Sequence, residues 1–185
     1  MVKACPERPT CGRPKRRGLR AAGFWRTVGA DGGVMRSYLV VMDETAEAQA
    51  ALRFAARRAA RTGGGVEILA LIPKQEFVQW SGVQAAMEEE ARLRAEAMLV
   101  QASGAIVEEA GIKPSITVRQ EDPVKAVTEL LKEREDLSAL VLAAAREGGP
   151  GPLITHFAGT VAGSLPCPLI IVPGGLSEEA LNRLS

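Results

Sequence analysis

Residues 137–173 read LSALVLAAAREGGPGPLITHFAGTVAGSLPCPLIIVP. An apolar run is followed by a turn rich in glycine and proline, a short helical segment and a second apolar run closed by proline. In a parallel α/β sheet, the turn that leaves the carboxyl end of a strand and opens a helix is where anionic ligands bind, because the helix start presents free N–H groups and partial positive charge. A small-molecule site in this chain is therefore expected at residues 146–159.

The rest of the chain repeats the same grammar. Residues 37–42 (SYLVVM) are a short, nearly all-apolar run suited to a strand covered on both faces. Asp43-Glu44-Thr45 follows as a polar turn, and residues 46–62 place Ala48, Ala51, Leu52, Ala55, Ala56 and Ala59 at helical spacing. Arg57, Arg58 and Arg61 lie late in that helix, where cations suit its dipole, and three glycines end it. Residues 66–72 (VEILALI) read as a second strand closed by Pro73. In the connection 74–82, Phe77, Val78 and Trp80 are expected to cap the sheet edge or core. Residues 83–110 form a long helical pattern whose inner face is read as Val83, Met87, Ala91, Met98, Ala102 and Ile106. Glu88-Glu89-Glu90 point in different directions on a helix, so they read as solvated residues rather than metal ligands. A third strand spans 114–119, and Asp122-Pro123 supplies an N-cap acceptor followed by a proline at the first helical position. Val124, Val127, Leu130 and Leu131 face inward from that helix. Strands over 137–143 and 169–172 and a short helix over 177–184 complete the chain. Alternating strands and helices predict parallel pairing with right-handed crossovers in one doubly wound sheet.

Bulk composition narrows the function classes. At 185 residues with 46% apolar content the chain can bury a core, but only 4% is aromatic, so Ala, Leu and Val must build it. No apolar run approaches the roughly 18 to 20 residues that span a bilayer, so no membrane role is expected. Residues 1–34 carry eight Lys/Arg against Glu7 and Asp31, a net of +6; the whole chain's +1 leaves −5 for residues 35–185. A mildly acidic body gives no support to nucleic-acid binding. Cys5, Cys11 and Cys167 are too few for a disulfide framework and point to a reducing cytoplasm.

The stretch 1–34, with Pro6, Pro9, Pro14 and a KRR cluster, shows no lasting periodicity and is expected to be a disordered basic extension ahead of a domain at 35–185. A targeting peptide, a basic tether, a metal site at Cys5 and Cys11, or an extension upstream of a natural start at Met35 are the competing readings.

The strand running into an acidic turn (YLVVMDET), the long second helix, the Asp-Pro-opened third helix and the ending Pro166-Cys167-Pro168-Leu169-Ile170-Ile171-Val172 together resemble the universal stress protein family over about residues 36–176. The resemblance implies an adenine-nucleotide α-hydrolase-like α/β fold, doubly wound, with a five-stranded parallel sheet in strand order 3-2-1-4-5. It also implies a homodimer through the last strand, 169–172, and in many members ATP, with Mg2+, at the carboxyl edge of the sheet. In such members glycines spaced Gly-x2-Gly-x9-Gly-Ser/Thr hold the phosphates. Gly149, Gly159 and Thr160 keep that spacing, while Arg146 occupies the first glycine position. Aligning the PCPLIIV ending without a gap puts Thr155-His156 in the Gly-Ser place instead. The resemblance further carries nucleotide contacts onto Asp43, after strand one, and onto Ile72, whose backbone would meet an adenine.

The residues themselves pull in two directions. Gly148, Gly149 and Gly151 offer close backbone approach, and Arg146, Thr155 or Thr160 could bind an oxygen. Pro150 and Pro152 remove donors and Glu147 carries the wrong sign, so a rigid turn with no ligand is the competing reading. Asp43 as a turn or N-cap residue competes in the same way. Cys167 between prolines reads as a small buried apolar residue, and no catalytic set can be assembled around His156. The expected function is a homodimeric stress-response module that binds ATP or another adenine nucleotide at the 146–160 turn and is not an enzyme. The alternative is a dimeric stress-family protein without nucleotide, acting through protein contacts. A small hydrolase or nucleotidyl-transfer enzyme is disfavoured for lack of a base or metal cluster.

Overall fold

A computed structural model describes residues 36–43, 45–72 and 81–185. The expectations for residues 1–34, Phe77, Val78 and Trp80, and for the Val83 side chain, lie outside the described residues. The chain runs β1 (Ser37–Met42), α1 (Ala46–Thr62), β2 (Gly65–Leu71), α2 (Ser81–Ala110), β3 (Ser115–Arg119), α3 (Pro123–Glu133), β4 (Leu137–Ala144), α4 (Gly151–Thr155), β5 (Leu169–Pro173) and α5 (Glu178–Leu184). All strand pairs are parallel, in the order β3-β2-β1-β4-β5. This is the expected doubly wound sheet, with the strand order reversing between β1 and β4.

Every residue of β1 is buried, because the strand is central and covered on both faces. Its alternation divides the core. Tyr38, Val40 and Met42 pack with the alanine face of α1, with Leu99, Ala102 and Ile106 of α2 and with Leu181 of α5. Leu39 and Val41 pack with Ala126, Val127, Leu130 and Leu131 of α3 and with Ile154 and Phe157 beyond β4. The small alanines let α1 lie close to the sheet, which is how a core nearly without aromatics fills its space.

Local signals set the ends of the helices. Thr45 Oγ1 accepts from Ala48 N–H at 3.2 Å to cap α1, and Gly63, at φ 65°, ends it in the left-handed region. Asp122 Oδ1 accepts from Lys125 N–H at 3.0 Å to cap α3, ahead of Pro123. The inner face of α2 agrees with the sequence reading in part: Ala102 and Ile106 are buried as expected and Ala91 is half-buried. Ala95, Leu99, Ala102 and Ile106 are buried and Met98 is half-buried, while Met87 is exposed. Apolar residues occur on more than one side of this helix, so periodicity alone did not select the buried stripe.

At the amino edge of the sheet a polar network ties four elements. Glu67 of β2, only 1% exposed, accepts from Thr117 Oγ1 of β3 at 2.7 Å and from Arg134 Nη1 at 3.0 Å. Arg134, just after α3, also donates to Asp136 Oδ1 at 2.7 Å and Oδ2 at 2.8 Å, and Asp136 Oδ2 accepts from Ser37 Oγ at 3.3 Å. The Arg134 guanidinium holds the Asp136 carboxyl below its ordinary value of 3.8, against the opposing effect of partial burial. Arg134→Ala would leave the Glu67 carboxylate buried without its cation, and a loss of roughly 3–5 kcal/mol in denaturant unfolding is expected. A folded-state pKa below the unfolded one adds stability that is complete above 3.8 and disappears as pH falls through the lower value. Asp136→Asn should therefore be less stable than the wild type at neutral pH, and the two should converge in acid.

Candidate functional site at the carboxyl edge

The reversal of strand order opens the sheet between the carboxyl ends of β1 and β4, where doubly wound folds bind ligands. Asp43 leaves β1 here, exposed, and its Oδ1 accepts from both the N–H and the hydroxyl of Thr45. It is thus the turn residue that orients the α1 cap, and Thr45 is the cap itself. The Ile72 N–H donates to Arg119 O at 2.9 Å, so only its carbonyl and half-buried side chain remain for a ligand.

From β4 the chain continues into an exposed loop, 145–150. Arg146 lies over the turn after β5: a Cβ on Gly175 would stand 3.3 Å from its Nε. Gly148 and Gly151 adopt φ of 89° and 77°, a region costly for residues with a Cβ, and nothing stands within 4 Å of where a Cβ would sit on Gly148, Gly149 or Gly151. The loop therefore presents bare, accessible backbone. Pro150 is the cap residue of α4 and Pro152 lies in its first turn, so this short helix lacks two donors.

Gly159 and Thr160 are placed elsewhere. They end a π-helical turn, His156–Thr160, that continues directly from α4, and about ten residues of helical rise, roughly 15 Å, carry them from the glycine loop. His156, Phe157 and Val161 from this stretch instead line a groove of about 690 Å3 with Leu131, Arg134 and Leu137 near the amino end of β4. The described residues bring Asp43, Arg146, Gly148 and Gly149 to one edge of the sheet; they do not bring Gly159 and Thr160 there. The Thr155 hydroxyl is also engaged, donating to Gly151 O at 2.8 Å. Cys167 is buried, and burial pushes its thiol up, which disfavours the thiolate. Among the described residues no group of three or more His, Cys, Asp or Glu side chains could hold a metal ion, and no helix is long and apolar enough to cross a membrane.

One glycine at this edge escaped the sequence reading. Gly174 N–H donates to Ala144 O at 2.8 Å, and a Cβ there would stand 2.9 Å from that same oxygen and closer still to the Glu47 side chain of α1. It locks the turn after β5 against β4 and α1, beneath Arg146. A Gly-Gly pair immediately after an apolar strand was the available signal.

The model of the universal stress protein family matches residues 35–173. The chain belongs to this family. Solved universal stress proteins share the fold at low identity. The Lactobacillus plantarum UspA structure is 17% identical with a TM-score of 0.61, covering 74% of this chain and 97% of that one. A family member from Burkholderia pseudomallei is 17% identical with a TM-score of 0.56, over 74% and 95%. The Archaeoglobus fulgidus universal stress protein, solved in complex with dAMP, is 21% identical with a TM-score of 0.51, over 74% and 96%. Among curated proteins none matches significantly. The family match ends at Pro173, just before the glycine pair and α5.

Gly174→Ala is expected to destabilise by about 1–3 kcal/mol, since backbone and a packed side chain must both move. Gly159→Ala, with open space in front of it and a helical backbone, should be neutral or stabilising by up to about 1 kcal/mol. Thermal unfolding of the two variants checks the contrast.

Proposed function

We propose that this universal stress protein is a ligand-responsive module, not an enzyme, that binds an adenine nucleotide between the carboxyl ends of β1 and β4. The observation that carries the reading is the open glycine backbone at 148–151 beside the Arg146 guanidinium, at the point where strand order reverses. Arg146 supplies a fork for one phosphate, and the N–H groups of Gly148 and Gly149 supply neutral donors. Asp43, oriented by its turn, faces the ribose side of the crevice as an acceptor. The Ile72 carbonyl is the backbone group left to meet the base. The Archaeoglobus fulgidus relative, solved with dAMP, supports the same ligand class.

With Pro150 and Pro152 lacking donors and Glu147 repelling anions, the loop suits a monophosphate better than ATP with Mg2+. ATP binds here in this reading, but its outer phosphates and metal gain little from the protein. These same prolines favour the second reading, a family member that has lost nucleotide binding and acts through protein contacts. In both readings the protein works in the cytoplasm as a homodimer joined through β5, an outer strand whose Ile171 is exposed.

Calorimetry of the full chain with AMP and with ATP-Mg2+ tests the nucleotide. AMP should bind, and Gly149→Val and Arg146→Ala should each weaken it by about tenfold or more, about 1.4 kcal/mol. Gly149 has room for a side chain, so Gly149→Val should keep the wild-type unfolding midpoint. No heat with either nucleotide at millimolar concentration would sink the reading in favour of the second.

A further inference from the structure

Arg146 is exposed in the loop after β4, yet its side chain lies against backbone from the far side of β5. A Cβ built on Gly175 would stand 3.3 Å from Arg146 Nε and 3.5 Å from Arg146 Cγ, the only atoms beyond its chain neighbours within 4 Å of that point. The arginine stem thus crosses the face of Gly175 in the space a side chain would take. Gly175 does not adopt a left-handed φ, so its backbone conformation does not call for glycine. What the missing side chain provides is room. The turn that carries Gly175 is fixed on both sides. Gly174 N–H donates to Ala144 O at 2.8 Å, Leu176 N–H donates to Pro173 O at 3.2 Å, and Ser177 Oγ accepts from Ala180 N–H at 3.2 Å to cap α5. α5 is held on α1 by buried Leu181 and by Glu178, which pairs with Arg53 and Arg57. The Glu47 side chain lies over the neighbouring Gly174, but neither Glu47 nor Arg146 enters a hydrogen bond or ion pair among the described residues. All five guanidinium donors of Arg146 are therefore unspent.

We propose that Gly175 is a positioning residue for the ligand's phosphate: its bare backbone is a shelf that confines the Arg146 side chain and holds the guanidinium fork for that group. The inference rests on the nucleotide reading above and adds to it a segment that lies outside the family match, which ends at Pro173. An arginine loses much rotamer freedom when it binds, and a shelf that already restricts the stem lowers that cost. This support matters because Arg146 stands where the family's phosphate spacing has its first glycine. A glycine there offers a backbone donor fixed by the fold, whereas a guanidinium at the end of a long stem must be held in place from outside. A side chain at position 175 would displace the fork without changing its charge.

Calorimetry of the full chain with AMP and with adenosine isolates the phosphate. The ratio of the two affinities should fall by about tenfold or more in Arg146→Ala, which loses a charged hydrogen-bond donor. In Gly175→Val it should fall by about threefold or more, because the fork is kept but misplaced. Gly175→Ala should lie between Gly175→Val and the wild type, since a Cβ alone asks Arg146 to yield by only a few tenths of an ångström; it also carries the test if the larger residue impairs folding. In an Arg146→Ala background Gly175→Val should lower the ratio no further, because the two residues act through one group. A wild-type ratio in Gly175→Val and Gly175→Ala while Arg146→Ala loses it, or a full additional loss in the double variant, would overturn the proposal and leave the nucleotide reading standing. No AMP binding by the wild type would sink both.

Discussion

Glu67 is a carboxylate buried in a parallel sheet, and the fold is arranged so that Arg134 can answer it. The pairing draws the end of α3 against β2, while the other nitrogens of Arg134 hold Asp136 at the entry to β4. Asp136 in turn accepts from Ser37 at the start of β1, and Thr117 of β3 donates to the second Glu67 oxygen. One guanidinium therefore links the amino ends of four of the five strands. A slipped register would leave a carboxylate desolvated without a cation, which costs far more than a lost apolar contact. With the amino ends fixed, the strand order reverses between β1 and β4 at a defined place, and the loops after Met42 and Ala144 leave the sheet there.

The two ends of the sheet have different chemistry for this reason. At the amino edge side-chain hydrogen bonds are satisfied internally. At the carboxyl edge Arg146 and the 145–150 loop are exposed, and bare glycine backbone faces open space. The turn at Gly174 is pinned to Ala144, and Arg146 lies against the neighbouring Gly175. α5 then returns over α1, where Arg57 joins Glu178 and Glu109 and Arg61 reaches Asn182. The segment beyond the family match thus closes the fold by ion pairs added to the apolar contact of Leu181.

Most of the fold was legible because its signals are local and redundant. The all-apolar β1, the alanine spacing of α1 and the Asp122-Pro123 start each fix an element without tertiary help. The face of α2 was legible only at Ala102 and Ile106; apolar residues lie on more than one side of that helix, so packing decides that Ala95 and Leu99 turn inward and Met87 outward. The Glu67–Arg134 pair was invisible because its partners stand 67 residues apart. At the candidate site, turn chemistry pointed to Arg146, Gly148 and Gly149, and the fold leaves all three exposed in the loop after β4. The spacing that grouped them with Gly159 and Thr160 counts residues and not rise, and here α4 and the π-helical turn fill the interval.

Hydrogen–deuterium exchange of the full chain with and without saturating AMP locates the ligand directly. The account predicts slowed exchange in residues 43–48 and 145–151, with 156–166 unchanged. Protection confined to 156–166, or none anywhere at saturation, would contradict it.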